Sequence, residues 1–210
     1  VGAVDGKGVT TAITDGDETL QATYGFQIDL NTSFTGEDSL DISLDAGNTA
    51  AATTSVAEFD GNATGDSLDV DGVSYTFPVG GATVFVADNG DASALFTTAC
   101  TYGGPTNTLD DCGNVNAGPS SGGVAAGASY DFSNGFAAAV GYQSNSVESA
   151  GIMTEESTDS TAINGSYTGS NYGVSITYAT VEDGAKEDTF TAFNGYFSPE
   201  GEGIPSISVG

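Results

Sequence analysis

Histidine, arginine and tryptophan are absent from the 210 residues, and lysine occurs only at Lys7 and Lys186. Without histidine no Ser-His or Cys-His relay can be assembled, so hydrolases built on such pairs are excluded. The basic side chains that grip phosphate are missing too. Against two lysines stand 29 acidic residues and a formal charge of −27. That surface repels nucleic acid and anionic headgroups alike. Solubility in a salty habitat is the plain alternative explanation of the charge. No stretch approaches the ~18 apolar residues of a membrane helix. Helix-favouring residues are scarce, whereas the 31 glycines suit frequent turns. No signal peptide is visible, and Val1 reads as an internal or processed start.

Cysteine is almost missing as well. Cys100 and Cys112 lie in a polar segment rich in Gly, Asn and Asp, with no histidine to complete a zinc shell. A disulfide between them is expected, and with it an oxidising compartment. Paired acids such as Glu155/Glu156 and Asp110/Asp111 are adjacent loop residues and read as solvated turns rather than glycosidase pairs. The clusters Asp15/Asp17/Glu18 and Glu182/Asp183/Glu187/Asp188 offer oxygen ligands for Ca²⁺ but lack a complete binding-loop spacing. No catalytic residue, cofactor or metal is therefore assigned, and an enzyme is not expected.

What is abundant is alternation. Tyr24, Phe26, Ile28 and Leu30 interleave with Gly25, Gln27, Asp29 and Asn31; after a turn, Leu40, Ile42, Leu44 and Ala46 interleave with Ser39, Asp41, Ser43 and Asp45. Period-two alternation puts one set on each face of a β-hairpin. Eleven strands are expected in all. The first, weak, spans residues 8–13; the others fall near 24–31, 39–46, 67–79, 82–87, 124–132, 136–142, 161–167, 172–178, 189–197 and 204–210. In the fourth the phase switches at Asp71-Gly72, which predicts a β-bulge. Pro78 belongs at that strand's end.

Short connections (residues 35–38, 80–81, 133–135, 169–171 and 198–203) alternate with longer acidic ones at 15–19, 48–66, 88–122, 144–159 and 182–188. An up-and-down meander sends alternate connections to opposite ends, so tight turns at one end and loops at the other point to an outer-membrane barrel, with a soluble sandwich, which has no need to sort its loop lengths so cleanly, as the alternative. Tyrosines and phenylalanines near strand ends fit girdles at headgroup level. If the apolar face meets lipid, the other face lines water. That lumen face carries Gln27, Asp29, Asn31, Ser39, Asp41, Ser43, Asp45, Asp69, Ser129, Asp131, Asn164 and Ser175. Gln27, Asp29, Asn31, Asp41, Asp45, Asp69 and Asp131 are the candidate pore-lining residues, and their carboxylates predict a weak preference for cations. Residues 88–122 form the longest loop, of a length that is usually functional; in an outer-membrane barrel it would either fold into the lumen as a constriction or cap the mouth, with a mobile external loop held only by its disulfide as the alternative.

The run Leu30-Asn31-Thr32-Ser33-Phe34-Thr35-Gly36-Glu37-Asp38-Ser39-Leu40, followed by Ala46-Gly47-Asn48, resembles a stretch of cyanobacterial outer-membrane porins. These belong with the carbohydrate-selective porin-like group, often labelled iron-uptake porins. Further resemblance lies in Leu68–Asp71 and Tyr75–Val79, in Ala99-Cys100 and Asp111-Cys112-Gly113, in Tyr130–Phe136 and in Asn171–Tyr178. Glu37 stands where that family often has lysine. The resemblance implies an all-β, antiparallel, up-and-down transmembrane barrel in the cell outer membrane, with residues 1–210 forming part of one barrel domain. It implies an internal piece of a longer porin, because that family adds a peptidoglycan-gripping domain before the barrel and closes it on an aromatic residue. Expected partners are outer-membrane lipid, small hydrophilic solutes and inorganic ions; assembly as a homotrimer is left open by the sequence. A secreted or surface structural β-protein, adhesive or filament-forming, is the alternative from another class. It would carry the same strand pattern without conducting ions.

Overall fold

The computed structural model describes residues 24–48, 64–99, 123–145, 151–154, 157–183, 186–201 and 204–210. They form one antiparallel sheet of ten strands, paired strictly in chain order: β1 (Gly25–Thr32), β2 (Ser39–Gly47), β3 (Leu68–Val79), β4 (Ala82–Gly90), β5 (Gly123–Asp131), β6 (Phe136–Ser144), β7 (Thr158–Thr168), β8 (Tyr172–Asp183), β9 (Lys186–Phe197) and β10 (Ile207–Val209). No helix occurs among the described residues. The all-β, up-and-down architecture expected from the alternation is borne out. Each of these ten strands matches an expected one, and the expected strand at 8–13 lies outside the described residues.

Register carries the alternation from strand to strand. Leu30 faces Ile42, Ile42 faces Val73, and Tyr75 faces Val86. On the far side Val140 faces Ile163, Ile163 faces Tyr178, and Ile176 faces Phe193. One apolar face therefore crosses the whole sheet. The phase switch in β3 is a bulge: Ser43 pairs with Gly72 and Leu44 with Val70, leaving Asp71 as the extra residue. Were Asp71 paired in regular alternation instead of bulging out, Leu68 and Val70 would sit on the face opposite Val73 and Tyr75. A second irregularity, between Ala87 and Gly90 in β4, was not expected; that strand runs three residues beyond its predicted end at Ala87.

One expected loop is corrected. Residues 182–188 do not form a long connection, because Glu182 pairs with Glu187 and Asp183 with Lys186. The acidic side chains there are strand residues at a hairpin end. Charge and polarity do not make that segment a loop, because cross-strand backbone pairing needs no apolar side chain. At the other end, Gly80 takes a positive φ of 62° in the two-residue β3–β4 turn, the conformation such hairpins demand.

Candidate functional site

Burial is inverted relative to a protein with an oily core. On the apolar face Val140 is 46% exposed, Ile163 56%, Ile176 52% and Phe193 59%. On the opposite face the buried side chains are mostly small or polar: Ala139, Gln143, Ala162, Asn164, Ser175, Thr177, Ala179 and Asn194. Soluble monomers rarely show an apolar patch that spans an entire sheet. The aromatic rings on that face gather where the short turns are. Tyr130 packs against Phe132 at 4.9 Å, Phe136 against Tyr167 at 4.8 Å, Tyr167 against Tyr172 at 5.6 Å, and Tyr75 against Phe77 at 5.2 Å.

The polar face has two halves. Over β1 and β2 it is open and acidic, and the candidate residues sit directly opposite one another: Gln27 with Asp45, Asn31 with Asp41, and Asp45 with Asp69 on β3. Neutral donors hold the carboxylates. Gln27 Nε2 and Ser43 Oγ each donate to Asp29 at 2.8 Å, and Ser39 Oγ donates to Asp41 at 2.7 Å, with Asn31 Nδ2 donating to the same group. Asp131 shares the face but lies at the short-turn end of β5, where it accepts from the Ser133 N–H at 2.7 Å. It is thus a turn-capping residue as well as a member of the acidic set.

Over β6 to β8 the polar face is covered by the chain itself. Residues 91–99, which follow β4, cross these strands as a strap. The Ala92 N–H donates to Gln143 Oε1 on β6 at 3.2 Å. The Thr97 N–H donates to Asn164 Oδ1 on β7 at 3.1 Å, and Asn164 Nδ2 donates back to the Thr97 carbonyl at 3.4 Å. The Ala99 N–H donates to Ser175 Oγ on β8 at 3.2 Å. Asn164 is itself steadied by donating to Thr177 Oγ1 at 2.9 Å. The bed is flat because it is made of small residues, and a Cβ at Gly141 would run into the Ala92 carbonyl. Gln143 lies beside the loop-end terminus of β6, whereas Asn164 lies five residues below Asp159 on β7, roughly 17 Å at strand rise. The strap therefore descends along the polar face instead of lying across its rim.

Between the strap and β2–β4 a cleft of about 260 Å³ remains, lined among others by Asp41, Ser74, Thr76, Asp88, Asp91 and Leu95. Asn164 and Ser175 were expected to line open water; buried under the strap, they serve as its anchors instead. Gln143 was missed altogether. Its only signal was a long amide in the non-apolar phase of β6, two positions after Gly141. The proposed disulfide pair, Cys100 and Cys112, lies outside the described residues, as do Asp15, Asp17, Glu18 and most of the 88–122 loop. No group of three or more acidic or sulfur ligands suited to a metal occurs among the described residues.

The β1–β2 turn explains the run from Ser33 to Asp38. Asp38 accepts from Ser33 Oγ at 2.6 Å, from the Thr35 N–H at 2.7 Å and from Tyr75 OH at 2.7 Å, with Thr35 Oγ1 donating as well. Donation by Ser33, then by Thr35 and Tyr75, holds its carboxyl far below the usual carboxylate range. Gly36, at a φ of 87°, closes the turn.

No protein-family model matches this sequence, and no curated protein matches it. Among solved structures the chain is similar to a mutant of the porin of Rh. blastica, with a TM-score of 0.49 and 12% identity. The likeness covers 87% of this chain and 63% of that one, so the chain spans less than two thirds of that porin's length.

Proposed function

We propose that residues 1–210 are part of the barrel wall of an outer-membrane porin. It passes small hydrophilic solutes and ions by passive diffusion, with a weak preference for cations. The observation that carries this reading is the inversion of faces: apolar side chains stand exposed on nine of the ten strands and half-buried on β2, while over β6 to β8 small and polar ones are buried under the strap. A bilayer supplies the partner that the apolar face lacks, and closure of the sheet satisfies the edge strands that hydrocarbon would not tolerate. The aromatic cluster at the short-turn end fits the headgroup level of one leaflet. The strap is seated on the polar face, which favours a constriction inside the passage over a cap on its mouth. The resemblance of the Leu30–Leu40 run supports the outer membrane of a cyanobacterium as the setting. Enzymatic chemistry finds no support in the residue set.

Extraction and conductance test the proposal. The protein should partition with membranes, come into solution only with detergent, and give discrete conductance steps in planar bilayers. Release by chelator or buffer alone, with no conductance, would instead make it a surface structural subunit.

A further inference from the structure

We infer that residues 151–154 and Ser157, between β6 and β7, form a flap laid on the outward apolar face, whose tip, Ile152 and Met153, docks in the lipid of the adjacent leaflet. This rests on the membrane reading proposed above. β6 and β7 pair in unbroken register, Val140 with Ile163, Tyr142 with Thr161 and Ser144 with Asp159. Ser144 and Asp159 therefore stand on the same face as Val140 and Ile163. Yet Val140 and Ile163 are about half exposed, whereas Ser144 is fully buried and Asp159 is 6% exposed. At its loop end the apolar face turns polar and is covered.

Asp159 is the socket for that cover. It accepts from the Met153 N–H at 2.9 Å and from Tyr142 OH at 2.8 Å, with Ser157 Oγ donating as well. Ser157 and Thr154 lock the turn: the Ser157 N–H donates to the Thr154 carbonyl at 3.0 Å, and the Thr154 N–H donates to Ser157 Oγ at 3.2 Å. Gly151 and Met153 take positive φ angles of 87° and 57°, the second uncommon for a residue with a side chain. The polar groups of the flap are thus spent on Asp159 and on each other, while Ile152 is left 50% exposed and Met153 73%.

Height along the strand says what the tip meets. β6 runs for nine residues, Phe136–Ser144. At strand rise that is roughly 27 Å, or about 21 Å of height at the usual tilt of a barrel strand, less than the ~25 Å apolar band of such barrels. With the Phe136–Tyr167 ring pair at one boundary, Ser144 and Asp159 fall short of the other. A bare carboxylate there would face hydrocarbon, which is unfavourable. The flap satisfies it and presents an isoleucine and a methionine in its place, so the apolar surface continues to the edge of the bilayer. Two protruding side chains offer far less surface than a stable protein contact needs, whereas lipid chains adapt to any apolar shape.

The experiment places a nitroxide spin label at Ile152→Cys or Met153→Cys, one at a time, with Cys100 and Cys112 changed to Ser, in the full chain inserted in phosphatidylcholine vesicles. Ile163→Cys in the same background is the reference for the apolar face. Collisions with oxygen, which concentrates in hydrocarbon, and with a nickel chelate, which stays in water, read the surroundings of each label. Both tip labels should collide with oxygen several-fold more than with nickel, as the reference label does. Frequent collision with nickel would put the tip in water, and protection from both reagents would put it against protein, a second copy included; either result overturns the inference. Asp159→Ala removes the socket and should sharpen the spectra of both tip labels as they gain motion. Unchanged spectra would overturn the role of Asp159. Lipid contact at Ile163→Cys without it at the tip sinks the flap and spares the membrane reading, whereas no lipid contact at any of the three positions sinks both.

Discussion

Asp38 shows how much one side chain organises. It gathers donors from Ser33 and Thr35 on the β1 side of the turn and from Tyr75 on the third strand. Only an ionised carboxylate can accept from all of them at once. Asp38→Asn should therefore lower the unfolding midpoint at neutral pH. The pH dependence follows from the sign of the shift. A carboxyl held below its ordinary value stabilises the fold fully above the unfolded-state pKa of about 4, and that contribution fades as pH falls toward the folded-state value. Unfolding of both proteins between pH 7 and pH 2 checks this: the gap between them should shrink in acid. A gap that stays constant would mean that the ionised state of Asp38 is immaterial to the turn.

At the scale of the element, β3 keeps its phase through its bulge. Because Asp71 bulges out of the ladder, Leu68 and Val70 share a face with Val73, Tyr75 and Phe77 although the count between Val70 and Val73 is odd. Deleting Asp71 leaves Val70 and Val73 two positions apart, so the alternation becomes regular, every pair with β2 is kept and the variant should assemble. Deleting Ser74 instead makes Val73 and Tyr75 adjacent and forces a choice: either the apolar residues before the gap or those after it turn to the polar face. In the bilayer proposed above, several apolar side chains would then leave hydrocarbon and as many polar ones enter it, at several kcal/mol in total. The Ser74 deletion should block assembly, read as loss of the heat-modifiable band on gels and loss of protease resistance. Assembly by that variant would show that β3 can slide into another register.

For the whole molecule the distribution of charge is the salient property. Among the described residues the one lysine, Lys186, lies at the β8–β9 hairpin end, away from β1–β3. The strands β1–β3 themselves carry no lysine or arginine, and Asp29, Asp41, Asp45 and Asp69 share their polar face. In the passage proposed above a low-dielectric wall would focus their field, so the reversal potential across a salt gradient should have the sign of cation selectivity. Neutralising Asp41 and Asp45 together, each to Asn, should bring it toward zero. Raising ionic strength should do the same, since the Debye length falls to about 3 Å at 1 M. An anion-selective sign in the wild type would sink this prediction.

The strand set, its up-and-down order, the odd residue at Asp71 and the sharing of one face by Gln27, Asp29, Asn31, Asp41, Asp45 and Asp69 were all legible in the chain. These are consequences of a period of two, which is local and survives any tertiary arrangement. Two things were not legible. Residues 182–188 looked like a loop, because a polar hairpin end and a polar loop have the same composition. The strap was visible only as part of a long connection whose course the sequence left open. Its path is decided by Gly141, Gln143, Asn164 and Ser175, which lie on three different strands and are brought into one line only when the register of β6, β7 and β8 is set. A backbone recognised through its N–H and carbonyl groups leaves no mark on its own side chains, so only the folded sheet could say where the strap lies.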